Sequence, residues 1–115
     1  MSIAVPVPPP TGHIVVEHDG RLGVLKMVGE IAADTVAAYE SQAPGIDGPL
    51  ITGVDLSEVS FLSSSGVGVL LRGTRSVRAL GQVPELRGAS RTARRVLHLA
   101  GVADLFQETV APERS

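Results

Sequence analysis

Short β-branched apolar segments alternate along the chain with segments whose apolar residues recur every three or four positions, as they do on one face of a helix. The first two apolar segments, residues 13–17 and 22–28, are separated by Asp19-Gly20, a dipeptide typical of tight turns. We therefore expect the chain to open with two antiparallel strands. Residues 50–56 and 83–86 are two further predicted strands, and residues 105–110 are predicted to form a last strand or a short helix.

Three segments between these strands have helical spacing. The first has Val36, Tyr39 and Ala43 on one face, with Asp34 as its expected N-cap and Pro44-Gly45 as its stop. The second, residues 66–80, carries apolar residues on one face and arginines on the other. Ser90 is the expected N-cap of the third helix, which ends at Gly101. The apolar face of this third helix is expected to consist of Ala93, Val96, Leu97 and Ala100.

This order of elements predicts an α/β fold, with a mixed β-sheet of about four to five strands. Parallel strands need right-handed crossovers, so we expect the helices to pack mainly on one side of the sheet. At 115 residues the chain has the size of one domain. Residues 1–12 are predicted to form a Pro-rich flexible tail, because four of the eight prolines lie in residues 1–11, and residues 13–115 are predicted to form the domain.

Composition excludes several kinds of site. The chain has no cysteine, so it has no disulfide, thiolate metal site or cysteine nucleophile. Only 3% of its residues are aromatic, which argues against binding single-stranded nucleic acid by base stacking. No apolar run reaches the ~18 residues that span a bilayer, and we expect a cytoplasmic protein with no membrane partner.

The formal net charge of -2 is unevenly distributed, because residues 1–58 carry -6 and residues 59–115 carry +4. Seven arginines lie between positions 72 and 95. Such a run could attract nucleic acid, but it also fits the solvated faces of two amphipathic helices. We favour the second interpretation and predict no direct nucleic-acid partner.

The serine-rich segment between the third predicted strand and the second helix is the most informative part of the chain. A hydroxyl just ahead of a helix lies beside free backbone amides at the positive end of the helix dipole. It can cap the helix, or it can accept a phosphoryl group, whose negative charge the amides tolerate. The spacing alone leaves both roles open.

The segment Asp55-Leu-Ser-Glu-Val-Ser-Phe-Leu-Ser-Ser-Ser-Gly-Val-Gly-Val-Leu70 closely resembles the signature of the STAS domain in bacterial anti-sigma factor antagonists. Gly29-Glu30-Ile31 is similar to the family's turn before its first helix, and residues 94–105 are similar to its third helix and the turn that follows. The resemblance covers nearly the whole predicted domain and implies a STAS-like fold.

The resemblance also implies a function. In that family, the first serine of the Ser-Ser-Gly triplet is phosphorylated by an anti-sigma factor that is also a serine kinase, and a phosphoserine phosphatase reverses the reaction. The unphosphorylated antagonist binds the anti-sigma factor and so frees a sigma factor for transcription. The matching acceptor here is Ser64. The family usually has Asp immediately before the acceptor, whereas this chain has Ser63, which is an alternative acceptor.

We therefore expect a regulatory binding module that is not an enzyme and that uses no cofactor or metal. Asp55 is expected to hydrogen-bond the amides or hydroxyls of the serine-rich loop. The alternative is an accessory or ligand-sensing subunit of a transport or signalling assembly. The expected partner-binding residues are Glu30, Glu58, Ser63, Ser64, Ser65, Gly66 and Val67.

A serine hydrolase is a third hypothesis, which we do not favour. The serine cluster lacks a Gly-x-Ser-x-Gly elbow, and the three histidines lie at positions 13, 18 and 98. Neither a dinucleotide fingerprint nor a P-loop occurs, since position 71 is Leu and the only lysine is Lys26.

Overall fold

A computed structural model describes residues 12–42 and 48–109 of the chain. The strands are β1 (Gly12–Asp19), β2 (Leu22–Ile31), β3 (Leu50–Leu62), β4 (Glu85–Ala89) and β5 (Gln107–Glu108). The helices are α1 (Ala33–Gln42), α2 (Ser64–Gly73), α3 (Arg75–Ala79) and α4 (Arg91–Leu99), followed by a short 3-10 helix (Ala103–Leu105). The predicted Pro-rich tail, except for Gly12, and the predicted helix stop at 44–45 lie outside the described residues.

The five strands form one sheet in the order β1-β2-β3-β4-β5, in which β1 is antiparallel to β2 and the other neighbours are parallel. Each connection between two parallel strands leads to the next strand of the sheet, always toward the same edge. Because such crossovers are right-handed, all of their helices lie on the same face. The predicted mixed sheet with helices on one side is confirmed.

The opening hairpin is also confirmed, with a two-residue loop. Asp19 pairs with Leu22, so the loop consists of Gly20 and Arg21. Gly20 has a φ of 67°, the left-handed region that a glycine enters without steric cost. A glycine at the first loop position is typical of two-residue hairpins.

The core lies between the sheet and the helix layer and is almost entirely aliphatic. Leu25, Met27, Val54 and Leu56 of the sheet have side chains with no more than trace exposure. The helices add Val36, Leu70, Val77 and Leu97 from the other side. Burying a side chain of this size contributes roughly 1.5–3 kcal/mol, so this layer is the main source of stability.

The third strand is longer than predicted. We expected it to end near Leu56, with a loop at residues 57–62, but β3 continues to Leu62 and pairs with β2 along the whole extension. Val59 and Leu62 are buried, while Ser60 and Phe61 between them are exposed. Register shifts interrupt the pairing of β2 and β3, so a strict alternation of apolar and polar residues is lost. The segment Gly29-Glu30-Ile31, expected to form a turn, is likewise the end of β2.

The predicted bounds of the second helix are wrong. It begins at Ser64 rather than Gly66, and it is divided into α2 and α3 at Thr74. The Thr74 side chain is fully buried and its hydroxyl donates a hydrogen bond of 2.7 Å to the carbonyl of Leu70. Such back-bonding by threonine bends helices. The fourth strand is also displaced, to Glu85–Ala89, and follows Pro84 directly.

Two of the expected helix ends are confirmed and one is wrong. The Ser90 hydroxyl accepts a hydrogen bond of 3.0 Å from the Ala93 amide, and Gly101 ends α4 with a φ of 75°. In α1, however, Asp34 lies inside the first turn and does not occupy the N-cap. Ala100, expected on the buried face of α4, is an exposed C-cap residue. No helix within the described ranges is long and apolar enough to cross a membrane.

Candidate functional site

The start of α2 is attached to the C-terminal ends of β2 and β3. The backbone amide of Ser63, the residue after β3, donates a hydrogen bond of 2.9 Å to the Ile31 carbonyl at the end of β2. Ser63 has extended backbone angles, and its hydroxyl accepts a hydrogen bond of 3.1 Å from the Gly66 amide. It is therefore the N-cap of α2, and this cap orients the two serines that follow.

The three consecutive serines are not equivalent. Ser63 and Ser65 are half-buried, and their hydroxyl oxygens lie 2.8 Å apart, within hydrogen-bonding distance. Ser64 is the first residue of the helix, and its side chain is exposed. Its hydroxyl makes no hydrogen bond with any residue in the described ranges. The geometry thus separates one accessible hydroxyl from two that hold the helix start together.

Gly66 allows α2 to pack closely on the sheet. A Cβ atom at this position would lie 2.7 Å from Leu62 Cδ1 and 2.9 Å from Ile31 Cγ2, which is closer than side chains approach. Val67 is 6% exposed and belongs to the core. In the free chain Gly66 and Val67 are buried beneath the serines and position them, and the expectation that they contact a partner stays a prediction.

Glu30 and Phe61 form a cross-strand pair at the end of β2 and β3, next to the Ile31–Leu62 pair below α2. Both side chains are exposed, and Phe61 exposes 49% of its surface. Exposed aromatic side chains such as Phe61 are enriched at protein-binding surfaces. In the sequence Phe61 stands out only as part of the family motif, and nothing there marks it as a surface residue. Its exposure depends on the unexpected extension of β3.

Glu58, another predicted partner-binding residue, lies earlier in β3, farther from α2 than the Glu30–Phe61 pair. It is paired with Val28, and its carboxylate lies 3.6 Å from the Lys26 ammonium. The Glu58 side chain is 60% exposed, so this ion pair is largely solvated. The carboxylate remains accessible but already has a cationic neighbour.

Asp55 makes no hydrogen bond with the three serines at the start of α2 in the described part of the chain. Its carboxylate accepts hydrogen bonds from the Ser57 amide, at 3.0 Å, and from the Ser57 hydroxyl, at 2.7 Å. Both partners lie within β3. Asp55 thus hydrogen-bonds an amide and a hydroxyl of the segment we predicted to be loop, but that segment is strand and the contact is not at the start of α2.

The site offers a hydroxyl but no group to activate it. No described histidine or carboxylate hydrogen-bonds to Ser64, whereas a nucleophilic serine needs a base within reach. Within residues 12–42 and 48–109 no group of three His, Asp or Glu residues is arranged to hold a metal ion. A hydroxyl of this kind can receive a phosphoryl group brought by another protein.

Fold and site together define a small α/β domain with an exposed serine hydroxyl, bound by none of the described residues, at a helix N-terminus. Residues 14–108 match the family model described as "Mlab, STAS domain". The chain therefore belongs to the STAS domain family.

Solved structures of similar fold include several anti-sigma factor antagonists. The antagonist SpoIIAA in its unphosphorylated form is 24% identical, with a TM-score of 0.64, over 84% of this chain and 88% of that one. An anti-sigma factor antagonist from Mycobacterium paratuberculosis is 23% identical, with a TM-score of 0.56, over 92% of both chains. The Bacillus cell fate determinant SpoIIAA in its phosphorylated form is 24% identical, with a TM-score of 0.56, over 84% of this chain and 91% of that one. No curated protein matches the sequence.

Proposed function

We propose that this protein is an anti-sigma factor antagonist. It binds an anti-sigma factor that is also a serine kinase, and phosphorylation of Ser64 controls that binding and hence transcription by a sigma factor. The observation that carries the proposal is the difference among the serines: the Ser64 hydroxyl is exposed and makes no hydrogen bond to residues 12–42 or 48–109, while Ser63 and Ser65 are held at the helix start. The fold shared with anti-sigma factor antagonists, one of them in a phosphorylated form, supports the proposal.

The surface proposed to contact the partner combines Ser64 with the exposed pair Glu30 and Phe61, and extends down β3 to Glu58. Phe61 supplies apolar area, and aromatic side chains are enriched at the centres of such interfaces. The hydroxyl of unmodified Ser64 is small and neutral, so it can be covered at little cost.

Phosphorylation makes this surface more negative by adding a charge of about -1.5 to -2 at Ser64. The helix N-terminus tolerates that charge in the free protein, because backbone amides there point toward it. In the complex the same charge is buried against a partner that carries its own nucleotide phosphates. Burying an unpaired charge is costly, so the complex dissociates. A phosphoserine phosphatase restores the binding form.

On this proposal the protein is a substrate and a ligand and not an enzyme. A serine hydrolase would need a base at Ser64, and the described hydrogen bonds supply none. The three arginine-to-acid ion pairs at Arg72, Arg87 and Arg94 support the view that much of the arginine run is a solvated helix and strand surface.

The test is phosphorylation by the histidine-kinase-like ATPase encoded near a sigma factor gene in the same genome. Wild type, Ser63→Ala, Ser64→Ala and Ser65→Ala are incubated with this kinase and labelled ATP. We expect label in every protein except Ser64→Ala. Label lost only in Ser63→Ala would move the acceptor to the alternative residue, and label retained in Ser64→Ala would contradict the proposal.

A second experiment separates this role from the alternative one. Tagged wild-type protein is used to capture partners from its own cells, and Phe61→Ala serves as the variant with a damaged surface. We expect the ATPase to be captured by wild type and lost with Phe61→Ala. Capture of a transporter permease or its ATPase in place of the kinase would instead support the accessory subunit of a transport assembly.

A further inference from the structure

The two edges of the sheet are built differently. At one edge, β5 is only two residues long. At the other edge, β1 is eight residues long, and among the described residues it pairs only with β2. A long edge strand leaves a row of backbone N–H and C=O groups free to pair with another strand.

Strand β1 lacks several of the features by which proteins usually protect an edge, and its acidic residues, Glu17 and Asp19, lie in the half next to the hairpin. It pairs with β2 through eight consecutive residues without a register shift, whereas the other two pairings of more than two residues contain shifts. Residues 12–19 contain no proline and no lysine, the residues that commonly discourage edge pairing. This edge is therefore regular enough to template a further strand.

Space for the side chains of such a strand exists on the helix side of β1. Two neighbouring cavities, of about 240 and 330 Å³, lie between β1 and α1. Ile14 of β1 and Tyr39 and Gln42 of α1 line both of them. Ala38, a small residue, lines the first cavity and leaves room beside α1. Ile14 and Val16 thus face a gap that a neighbouring apolar side chain can fill.

The sequence of β1 is complementary to itself in one antiparallel register. With Val15 opposite Val15 of a second chain, Ile14 lies opposite Val16 on the helix face. On the outer face of the sheet His13 lies opposite Glu17, and this pair occurs twice. If Ile14 lies opposite Ile14 of the second chain, Val15 lies opposite His13. If Val16 lies opposite Val16, then Val15 lies opposite Glu17 and Ile14 lies opposite His18. The register centred on Val16 also brings His13 opposite Asp19, but of these three registers only the one centred on Val15 places no apolar side chain opposite a histidine or a carboxylate.

We propose that a second copy of this chain binds along β1, forming a two-fold symmetric dimer with one continuous ten-stranded sheet. Val15, which exposes 38% of its surface, lies on the two-fold axis and becomes covered. The proposal depends on the edge strand alone and is independent of the role proposed for Ser64. The backbone pairing supplies the affinity, and the two His13–Glu17 pairs select the register.

The absence of cysteine from the chain makes the register directly testable. Opposite residues in an antiparallel pair have Cα atoms about 4.5 or 5.5 Å apart, within the range that a disulfide can bridge. Full-length Val15→Cys is therefore expected to form a disulfide-linked dimer on mild oxidation. Val24→Cys, on β2, is the control, since its two copies are separated by three strand spacings, and we expect it to remain monomeric on a non-reducing gel.

A mixture of His13→Cys and Glu17→Cys chains is expected to cross-link to each other more than either does to itself. Sedimentation of the unmodified protein over a range of concentrations must show a dimer. A monomer at every concentration, as expected if another segment or another protein occupies β1, would overturn the proposal. Equal cross-linking of Val15→Cys and Val24→Cys would do the same.

Charge reversal provides an independent measurement. Glu17→Lys places one lysine opposite His13 in each of the two pairs, and we expect the dimer dissociation constant to rise roughly tenfold. Adding His13→Glu to Glu17→Lys restores opposite charges and is expected to restore the dimer. Asp104→Lys, an equal change in net charge on the exposed surface near the other edge, should have no effect. If Asp104→Lys weakens the dimer as much as Glu17→Lys, the specific pairing is wrong; circular dichroism verifies that each variant is folded.

Discussion

Among individual residues, three consecutive serines show how position determines the role of a side chain. Ser63 caps α2 because it lies three residues before Gly66, the distance at which a hydroxyl reaches a free amide of the first turn. From the sequence we expected some serine here to cap the helix and Ser64 to be the acceptor by family resemblance. Which serine caps could not be settled, because we started the helix at Gly66 and so misjudged which amides are free.

The cap has a measurable consequence for stability. Ser63→Ala removes the bond to the Gly66 amide and leaves that donor without its partner, so we expect the free energy of unfolding to fall by about 1 kcal/mol. Ser64→Ala removes no described hydrogen bond and should change it by less than about 0.5 kcal/mol. Urea unfolding of both variants measures the difference. Equal loss in the two variants would show that Ser63 does not stabilise α2 in this way.

Among helices and strands, the sequence correctly predicted the element ends that require specific residues. Ser90 and Gly101 mark the ends of α4, and Gly20 marks the hairpin, because a cap or a positive φ requires particular side chains. The extension of β3 was missed for an equally physical reason. Apart from Phe61, its exposed residues are serine and glutamate, which are common in loops, and its register shifts disturb the alternation that identifies a strand.

A second element-level feature is the bidentate ion pair between Arg94 of α4 and Glu108 of β5, with one N–O distance of 2.7 Å. The hydrogen bond from Arg94 is the main cause that lowers the pKa of Glu108 below its ordinary value of 4.5. A lowered pKa in the folded state means that the pair stabilises the protein above pH 4.5 and that this stabilisation is lost as the pH falls through the folded-state pKa. Both side chains are more than one-third exposed, which limits the contribution to below about 1 kcal/mol.

Glu108→Gln should therefore lower the free energy of unfolding slightly at pH 7 and leave it unchanged at a pH below the folded-state pKa of Glu108. Chemical unfolding of wild type and Glu108→Gln at several pH values measures this convergence. Glu85→Gln, which removes a partner of Arg87 within a single strand, is the matched control that leaves the α4–β5 connection intact. A difference that persists unchanged in acid would mean that the Glu108 charge is not its cause.

In the whole molecule, the uneven charge of the sequence becomes an uneven charge across the sheet, because the strands lie side by side in chain order. The acidic part of the sequence forms β1, β2, α1 and most of β3, and the arginine-rich part forms α2, α3, β4 and α4. Arg72 reaches from α2 to Glu40 on α1 and so connects the two parts. The sequence could predict the polarity but not these contacts, because they depend on which helices become neighbours.

Whole-molecule stability also distinguishes a charge switch at Ser64 from a disruption of the fold. Ser64→Glu places a negative charge on an exposed residue at a helix N-terminus, where it is worth about 0.3–1 kcal/mol in favour of the fold. We therefore expect its melting temperature to equal or slightly exceed that of wild type, while its affinity for the anti-sigma kinase falls. Ser64→Gln has nearly the same size without the charge and should retain most of the affinity. Calorimetry of folding and of binding gives both quantities for each variant: equal loss of affinity in the two would indicate a steric effect, and a lowered melting temperature of Ser64→Glu would mean that the added charge acts by unfolding the helix start.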